Sequence, residues 1–419
     1  MWPSAPLASG FGLQPATTFA CYVMRHARIP VPTAGLRSRL DFRRFSLVKI
    51  GSGPIQPTDP RLFQPAKVPA PTPPGAWAWI AALTLLLWAG ASLAAEEPPW
   101  VSFSAQPGPG AGKHVLFISG DEEYRSEESL PMLAAILAQR HGFRCTVLFA
   151  INRQTGEIDP NTLDHIPGLE ALATADLLVI CTRFRELPDD QMRHLDAYLE
   201  SAKPVIGIRP AVVAFRNKPA SRYFKYSSDN HSADYPDGFG QQVLGSTWIS
   251  HHGTHGKEST RGLPMEPLKA HPILRGVGTI WGPTDVYTIR TPIPRGGEVL
   301  IMGQVLTGMK PDDPPSPKAQ MPLAWTTGYQ TGQGTGRVFM TTIGASQDFA
   351  DESLRRLFVN ACYWAVGLQS QIPPQANVAT VGSYEPTPFG FNTYRKGVFP
   401  KDLVAQFNRA ARNAPASKP

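Results

Sequence analysis

Cysteine is scarce in this chain: four in 419 residues, at Cys21, Cys145, Cys181 and Cys362. They are far apart, and the last three fall within apolar runs, so no disulfide framework is expected and these three read as buried thiols. No lipobox cysteine stands at the end of the single long apolar run, which argues against a lipoprotein anchor. Net charge is missing from the part of the chain that has a core-forming pattern. Residues 1–95 hold nine Lys+Arg and two Asp+Glu; the chain total is 40 and 33, so residues 96–419 carry 31 of each. The basic character belongs to the leader, and the globular part gives no electrostatic case for a nucleic-acid partner. A phosphate cradle is missing too. The glycine-rich stretch GYQTGQGTG (residues 328–336) precedes a strand and lacks the Lys-Ser/Thr of a P-loop.

The leader has its own organisation. Residues 1–75 are rich in Pro, Arg and Ser without periodicity, as in a disordered leader or an over-translated start. Residues 76–95 contain WAWIAALTLLLWAGASLAA, which carries no charge and ends in the small-residue pattern Ser92-Leu93-Ala94, with Glu96-Glu97 close behind. This reads as a signal peptide, which would put the mature chain in the periplasm or outside the cell. A retained membrane anchor is the alternative, and only then would a membrane be a partner.

From residue 113 the pattern becomes α/β. Residues 114–119 form a Val/Ile/Phe-rich strand, followed by the polar loop Asp121, Glu122, Glu123, Tyr124, Arg125. Ser126 is placed to cap a helix whose apolar positions Leu130, Leu133, Ala134, Leu137 and Ala138 share one face, and Gly142 ends it. Residues 145–149, 176–181 and 204–208 read as further buried strands, with helices at 169–175 and 188–201. Strands also fit 296–305, 321–327 and 336–343, and a closing helix fits 351–366. The alternation predicts a doubly wound, mostly parallel sheet with a long insertion, about 215–282, after the fourth strand. Ligands of such sheets bind at the carboxyl ends of the strands.

The ordered set GDEEY (120–124), RFRELPD (183–189), KPVIGIR (203–209), HPILRGV (271–277), TDVY (284–287) and GRVFMTTIGASQDF with LRRLFVNACYWAVG (336–349 and 354–367) resembles the ThuA-like, or trehalose-utilisation, family. The resemblance covers residues 113–368 and leaves 369–419 as a C-terminal extension. It implies a flavodoxin-like fold of the class I glutamine-amidotransferase type. Amidotransferases present a cysteine nucleophile after the fourth strand, whereas this chain has Arg209, which stays protonated and cannot attack. The family's Gly-His after the last strand is Gly344-Ala345 here. Cysteine glutaminase chemistry is therefore excluded.

Two groups of candidate site residues remain. The strand ends offer Asp121, Glu122, Glu123 and Arg125, then Arg183 and Arg185, then Arg209, with Tyr124, Asp285, Tyr287 and Asp348 beside them. Arginine forks bind anions and carboxylates accept sugar hydroxyls; the bland alternative is a set of mutual ion pairs that hold loops. The second group is the run WISHHGTHGKE (248–258), with His251, His252 and His255. Clustered imidazoles suit proton transfer or sugar-hydroxyl contacts, or zinc binding with Glu258 or Asp285 as a further ligand; a purely structural loop is the remaining alternative. The resemblance implies a small-molecule carbohydrate substrate, a disaccharide or keto-sugar. On it the three histidines would act as acid or base, Glu123 or Asp121 as partner and Arg209 as anion stabiliser, in a carbohydrate-active hydrolase or isomerase. The alternative is a non-catalytic carbohydrate-binding module on the same fold. Zinc is the one cofactor the residues suggest, and oligomeric state is not legible.

Overall fold

The computed structural model describes residues 97–413. The leader and the apolar run at 76–95 lie outside the described residues. Among the described residues no helix is long and apolar enough to cross a membrane.

The backbone is one ten-stranded mixed sheet. In chain order its first members are β1 (Trp100–Phe103), β2 (His114–Gly120), β3 (Arg144–Phe149), β4 (Leu177–Thr182) and β5 (Val205–Ile208). Every residue of β2, β4 and β5 is buried, as expected of strands covered on both faces. Two short strands, β6 (Trp248–His251) and β9 (Tyr287–Ile289), pair with each other apart from the main sheet. The main sheet is completed by β7 (Thr260–Pro264), β8 (Ile280–Gly282), β10 (Glu298–Val305), β11 (Met321–Thr331) and β12 (Gly334–Thr341), in the order β1-β3-β2-β4-β5-β12-β11-β10-β7-β8.

The parallel strands are contiguous, β3-β2-β4-β5-β12, but only four of the nine pairings are parallel. The expectation of a mostly parallel sheet is thus corrected to a mixed one. The physical reason lies in the glycine-rich stretch: Thr331 pairs with Gly334, so residues 332–333 are the tip of a tight hairpin. A two-residue loop can join strands only antiparallel. The insertion supplies the antiparallel strands β7 and β8 at one edge, and β1, from before β2, pairs antiparallel with β3 at the other.

Helices cover both faces. The helices α1 (Ser126–His141) and α3 (Glu352–Ala365) bury Leu133, Leu137, Leu357 and Phe358 against Val115, Phe117, Val179 and Phe339. On the other face α2 (Asp189–Glu200) sets Met192, Leu195 and Leu199 against Leu116, Ile118 and Leu178. Gly142 ends α1 at φ 79°, a conformation that costs a residue with a Cβ. The start of α1 differs from expectation. Ser126 is the first helical residue, and the Asp121 carboxylate, five residues earlier, accepts from its backbone N–H at 3.1 Å. At the far end, α4 (Pro400–Asn413) packs near β1, where Phe407 meets Phe103 edge-on at 5.2 Å. All three cysteines among the described residues are free and buried.

Candidate functional site: a charge ladder across the strand ends

The loops after β2, β4 and β5 meet the insertion at the carboxyl end of the parallel strands. The register of β6 against β9 sets His251 opposite Tyr287, and the His252 N–H donates to the Val286 carbonyl at 3.0 Å. Gly253 then lets the chain close over Asp285, since a Cβ there would lie 2.8 Å from the Asp285 Cβ. This local geometry gathers the histidine loop around one buried carboxylate.

Asp285 is fully buried and is the hub. Its Oδ2 lies 2.8 Å from His251 Nδ1, and its Oδ1 lies 2.8 Å from His255 Nδ1 and 3.1 Å from Arg209 Nη2. Burial opposes its charge, yet the two histidines and Arg209 outweigh burial and hold its carboxyl well below the usual carboxylate range. His255 reaches the other way as well, with Nε2 3.1 Å from Glu123 Oε1. A ring held at both nitrogens by carboxylates keeps its proton, and the Asp285 and Glu123 hydrogen bonds raise His255 to about 9. Glu123 is lowered: burial works against its charge, and His255 and Arg183 overcome it.

Taken in sequence of contact, Arg185, Glu122, Arg183, Glu123, His255, Asp285 and Arg209 alternate in sign across the strand ends. The rungs differ in accessibility. Arg209 is fully buried, flanked by Tyr287 at 4.0 Å and Tyr124 at 4.5 Å, and donates to the Thr342 and Asp285 carbonyls and the Tyr124 hydroxyl. Every one of these partners is internal, whereas Arg209 was expected to stabilise a ligand anion. Arg209 lies beneath the site and compensates Asp285. Burial pushes the Tyr124 phenol up to about 12, so it is a neutral hydroxyl at physiological pH.

Arg185 is also fully buried, donating to the Pro160, Thr162 and Arg183 carbonyls and to Glu122 at 2.7 Å. Arg183 keeps part of its guanidinium open to the cleft, between Glu122, Glu123 and the Phe184 ring. His251 also opens onto the cleft. With Nδ1 engaged by Asp285, its Nε2 is the nitrogen left to exchange a proton with a ligand. Glu123, Tyr124, Arg183, Phe184, Trp248, His251 and Tyr287 share a small cleft of about 70 Å3.

Other expected residues are placed elsewhere. Asp121 is fully buried and accepts from the backbone N–H groups of Glu123, Tyr124 and Ser126, which shapes the loop, and its Oδ2 faces the buried Cys181 thiol rather than a histidine. His252, just past the end of β6, faces away from Asp285, with Nε2 2.6 Å from the Ala319 carbonyl. Asp348 is buried and accepts from Thr284 and from the N–H groups of Gly344 and Ala345, which ties the turn after β12 to the insertion. Arg125 turns away and donates to Gly390 and Thr393 of the C-terminal extension. Glu258 pairs with Lys318 at 2.6 Å, away from the histidines. The expected histidine trio is therefore a pair, and His251, His255 and Asp285 offer three ligand atoms within 4.8 Å of one another. That donor set suits zinc once His255 has lost its proton.

Phe184, Trp248 and Phe389 escape sequence reasoning as site residues. Trp248 meets the His251 ring at 5.7 Å and Phe389 the His255 ring at 5.1 Å. Nothing in the local pattern marks Phe389, which comes from more than 130 positions downstream of His255.

The solved structures to which this chain is similar include the following three. A putative ThuA-like protein from Parabacteroides merdae ATCC 43184 aligns at 14% identity and TM-score 0.40, covering 67% of this chain and 97% of that one. The exo-beta-1,4-mannosidase Op5Man5 from Opitutaceae bacterium strain TAV5 aligns at 11% identity and TM-score 0.27, covering 60% of this chain and 35% of that one. The mmIFT52 N-terminal domain aligns at 13% identity and TM-score 0.33, covering 60% and 97%. No match was found among curated proteins. The family model for ThuA, described as trehalose utilisation, matches residues 114–365, which include the whole charge ladder. The match spans more than half of the chain, and the protein belongs to the ThuA family.

Proposed function

We propose that this chain processes a carbohydrate, a disaccharide or keto-sugar, in the cleft at the carboxyl ends of β2, β4 and β5, with His251 as the proton-transfer group. The observation that carries the reading is the His251–Asp285 pair, 2.8 Å apart, opening onto that cleft. A buried carboxylate fixes the tautomer and orientation of an imidazole and stabilises it when it takes up a proton. His251 Nε2 would take a proton from a sugar hydroxyl, or from the carbon beside a keto group. Arg183 then faces the oxygen on which negative charge grows, and the Tyr124 hydroxyl lines the same wall. His255, charged and held at both ends, keeps Asp285 and Glu123 in place. It is a poor base because its proton is already bound.

The contiguous order β3-β2-β4-β5-β12 supports a flavodoxin-like, amidotransferase-type core, which reads 2-1-3-4-5 when its parallel strands are numbered along the chain. Helices on both faces agree with a doubly wound arrangement. The reading includes export, for which the uncharged run ending at Ser92-Leu93-Ala94 is the support.

A second reading is a sugar-binding module without turnover. It is favoured by the small cleft and by the mutual satisfaction of Glu123, His255, Asp285 and Arg209. Turnover on a panel of oxidised and unoxidised disaccharides separates the two, run on protein whose zinc content is measured first. Under the enzymatic reading His251→Ala lowers turnover by about 10²–10⁴ with little change in melting temperature. Binding without turnover on every sugar, with or without zinc, would replace it by the binding module.

A further inference from the structure

The C-terminal extension lies outside the family-matched residues 114–365, yet it is fastened onto the site. The Glu128 carboxylate of α1 accepts from the Thr387 N–H at 2.8 Å and from its hydroxyl at 2.7 Å, and lies 3.4 Å from Arg395. Ser346, on the turn after β12, donates its hydroxyl to the Thr387 carbonyl at 3.0 Å and accepts from the Tyr384 hydroxyl at 2.7 Å. The Gly390 N–H donates to the Glu123 carbonyl at 2.7 Å, and buried Arg125 donates to the Gly390 carbonyl and the Thr393 hydroxyl.

These bonds tie residues 384–395 to the loop that carries Glu123 and fix two aromatic rings at the rim. Phe389 closes against His255 and lies 6.2 Å from Tyr124, and is part-buried. Phe391 does the opposite. It is 50% exposed, more than any other large hydrophobic side chain among the described residues, and its ring lies 5.1 Å from the Arg183 guanidinium. Phe184, held at φ 48°, flanks the same guanidinium at 4.7 Å. The Phe391 ring is half open to water while it lies against the Arg183 guanidinium. Beside a cation at the mouth of a polar cleft it has the form of a recognition surface, because aromatic faces pack on the C–H faces of sugar rings while Arg donates to their oxygens.

We propose that Phe391, with Arg183 and Phe184, forms an outer subsite for the second ring of a two-ring glycoside, so that the C-terminal extension selects disaccharides over monosaccharides. The proposal rests on the carbohydrate reading of the inner cleft. The inner cleft opens beside Arg183 and Phe184, so a second ring would lie at the rim where Phe391 stands.

The test is titration calorimetry of the full chain with trehalose, a two-ring probe, and with glucose, a one-ring probe, on the wild type and on Phe391→Ala. Phe391 is half exposed, so melting temperature should not change. Trehalose affinity should fall about tenfold, the fold-change that about 1.4 kcal/mol of aromatic contact supplies, while glucose affinity stays the same. Phe391→Trp should restore trehalose affinity. Equal trehalose affinity in wild type and Phe391→Ala would overturn the subsite and leave the inner carbohydrate site standing. An equal loss for both sugars would also overturn it, by placing Phe391 in the inner cleft. A wild type that binds neither sugar would bring down the carbohydrate reading and the subsite with it.

Discussion

Replacing His255 by glutamine should flatten the dependence of stability on pH between about 6.5 and 9. His255 rises to about 9 in the folded chain from 6.5 because Asp285 and Glu123 hold its two nitrogens. A group raised on folding contributes stability that is fully present below its unfolded pKa and is lost as pH climbs through the folded one. The upper bound is on the order of 3 kcal/mol, at 1.36 kcal/mol for each pH unit. The ring is 30% exposed and its partners are shared with Arg209 and Arg183, so solvent and neighbours reduce this to about 1–2 kcal/mol. Glu127 complicates the raw curve: burial pushes its carboxyl up to about 8, which also removes stability as pH rises. Subtracting the His255→Gln curve from the wild-type curve cancels that contribution. The assay is urea denaturation at pH 6 and pH 9.5, followed by tryptophan fluorescence. The wild type should lose about 1–2 kcal/mol more than the variant between the two. Parallel losses would mean that His255 is not held charged between the two carboxylates, and the ladder would lose its central rung.

Three further outcomes can be measured. Arg209→Met should cost about 3–5 kcal/mol in denaturant titration, because it leaves Asp285 buried with one fewer cation; a loss under 1 kcal/mol would show that the histidines alone compensate the carboxylate. Gly253→Ala should lower turnover or sugar affinity more than tenfold with the fold intact by circular dichroism, since the added Cβ meets the Asp285 Cβ at 2.8 Å and pushes the histidine loop away; wild-type activity would show that the loop yields without consequence. N-terminal sequencing of the protein from its native host should begin near Ala95, and a form that retains the apolar run would instead be an anchored protein.

The elements that could be read along the chain are those whose signal is local. Strand β2 is a run of apolar residues, α1 has its apolar positions at helical spacing, and Gly142 stops it with a left-handed turn. The acidic loop at 121–125 and the histidine run at 248–258 were visible as candidates for the same reason: the chemistry is dense in sequence. What each residue in them does was not visible. Asp121 and Glu123 are two positions apart, yet one caps a helix and the other clamps His255. His251 and His252 are adjacent, yet only one meets Asp285.

The sequence by itself therefore determined the parallel core, the absence of a nucleophilic cysteine after β5 and the candidate residue types. Tertiary structure decided the rest, because each deciding interaction joins residues whose spacing carries no period. Asp285 becomes a hub only when the insertion folds back on β5 and brings Arg209, 76 positions away, to 3.1 Å. The glycine-rich stretch became a hairpin, and the sheet mixed, through pairing between β11 and β12. Phe389 and Phe391 reach the rim because Arg125, Glu128 and Ser346 supply hydrogen-bond partners to a segment with no helical or strand periodicity of its own. Long-range polar pairing leaves no repeat in the chain, so only the folded arrangement reveals which charges face the cleft and which lie beneath it.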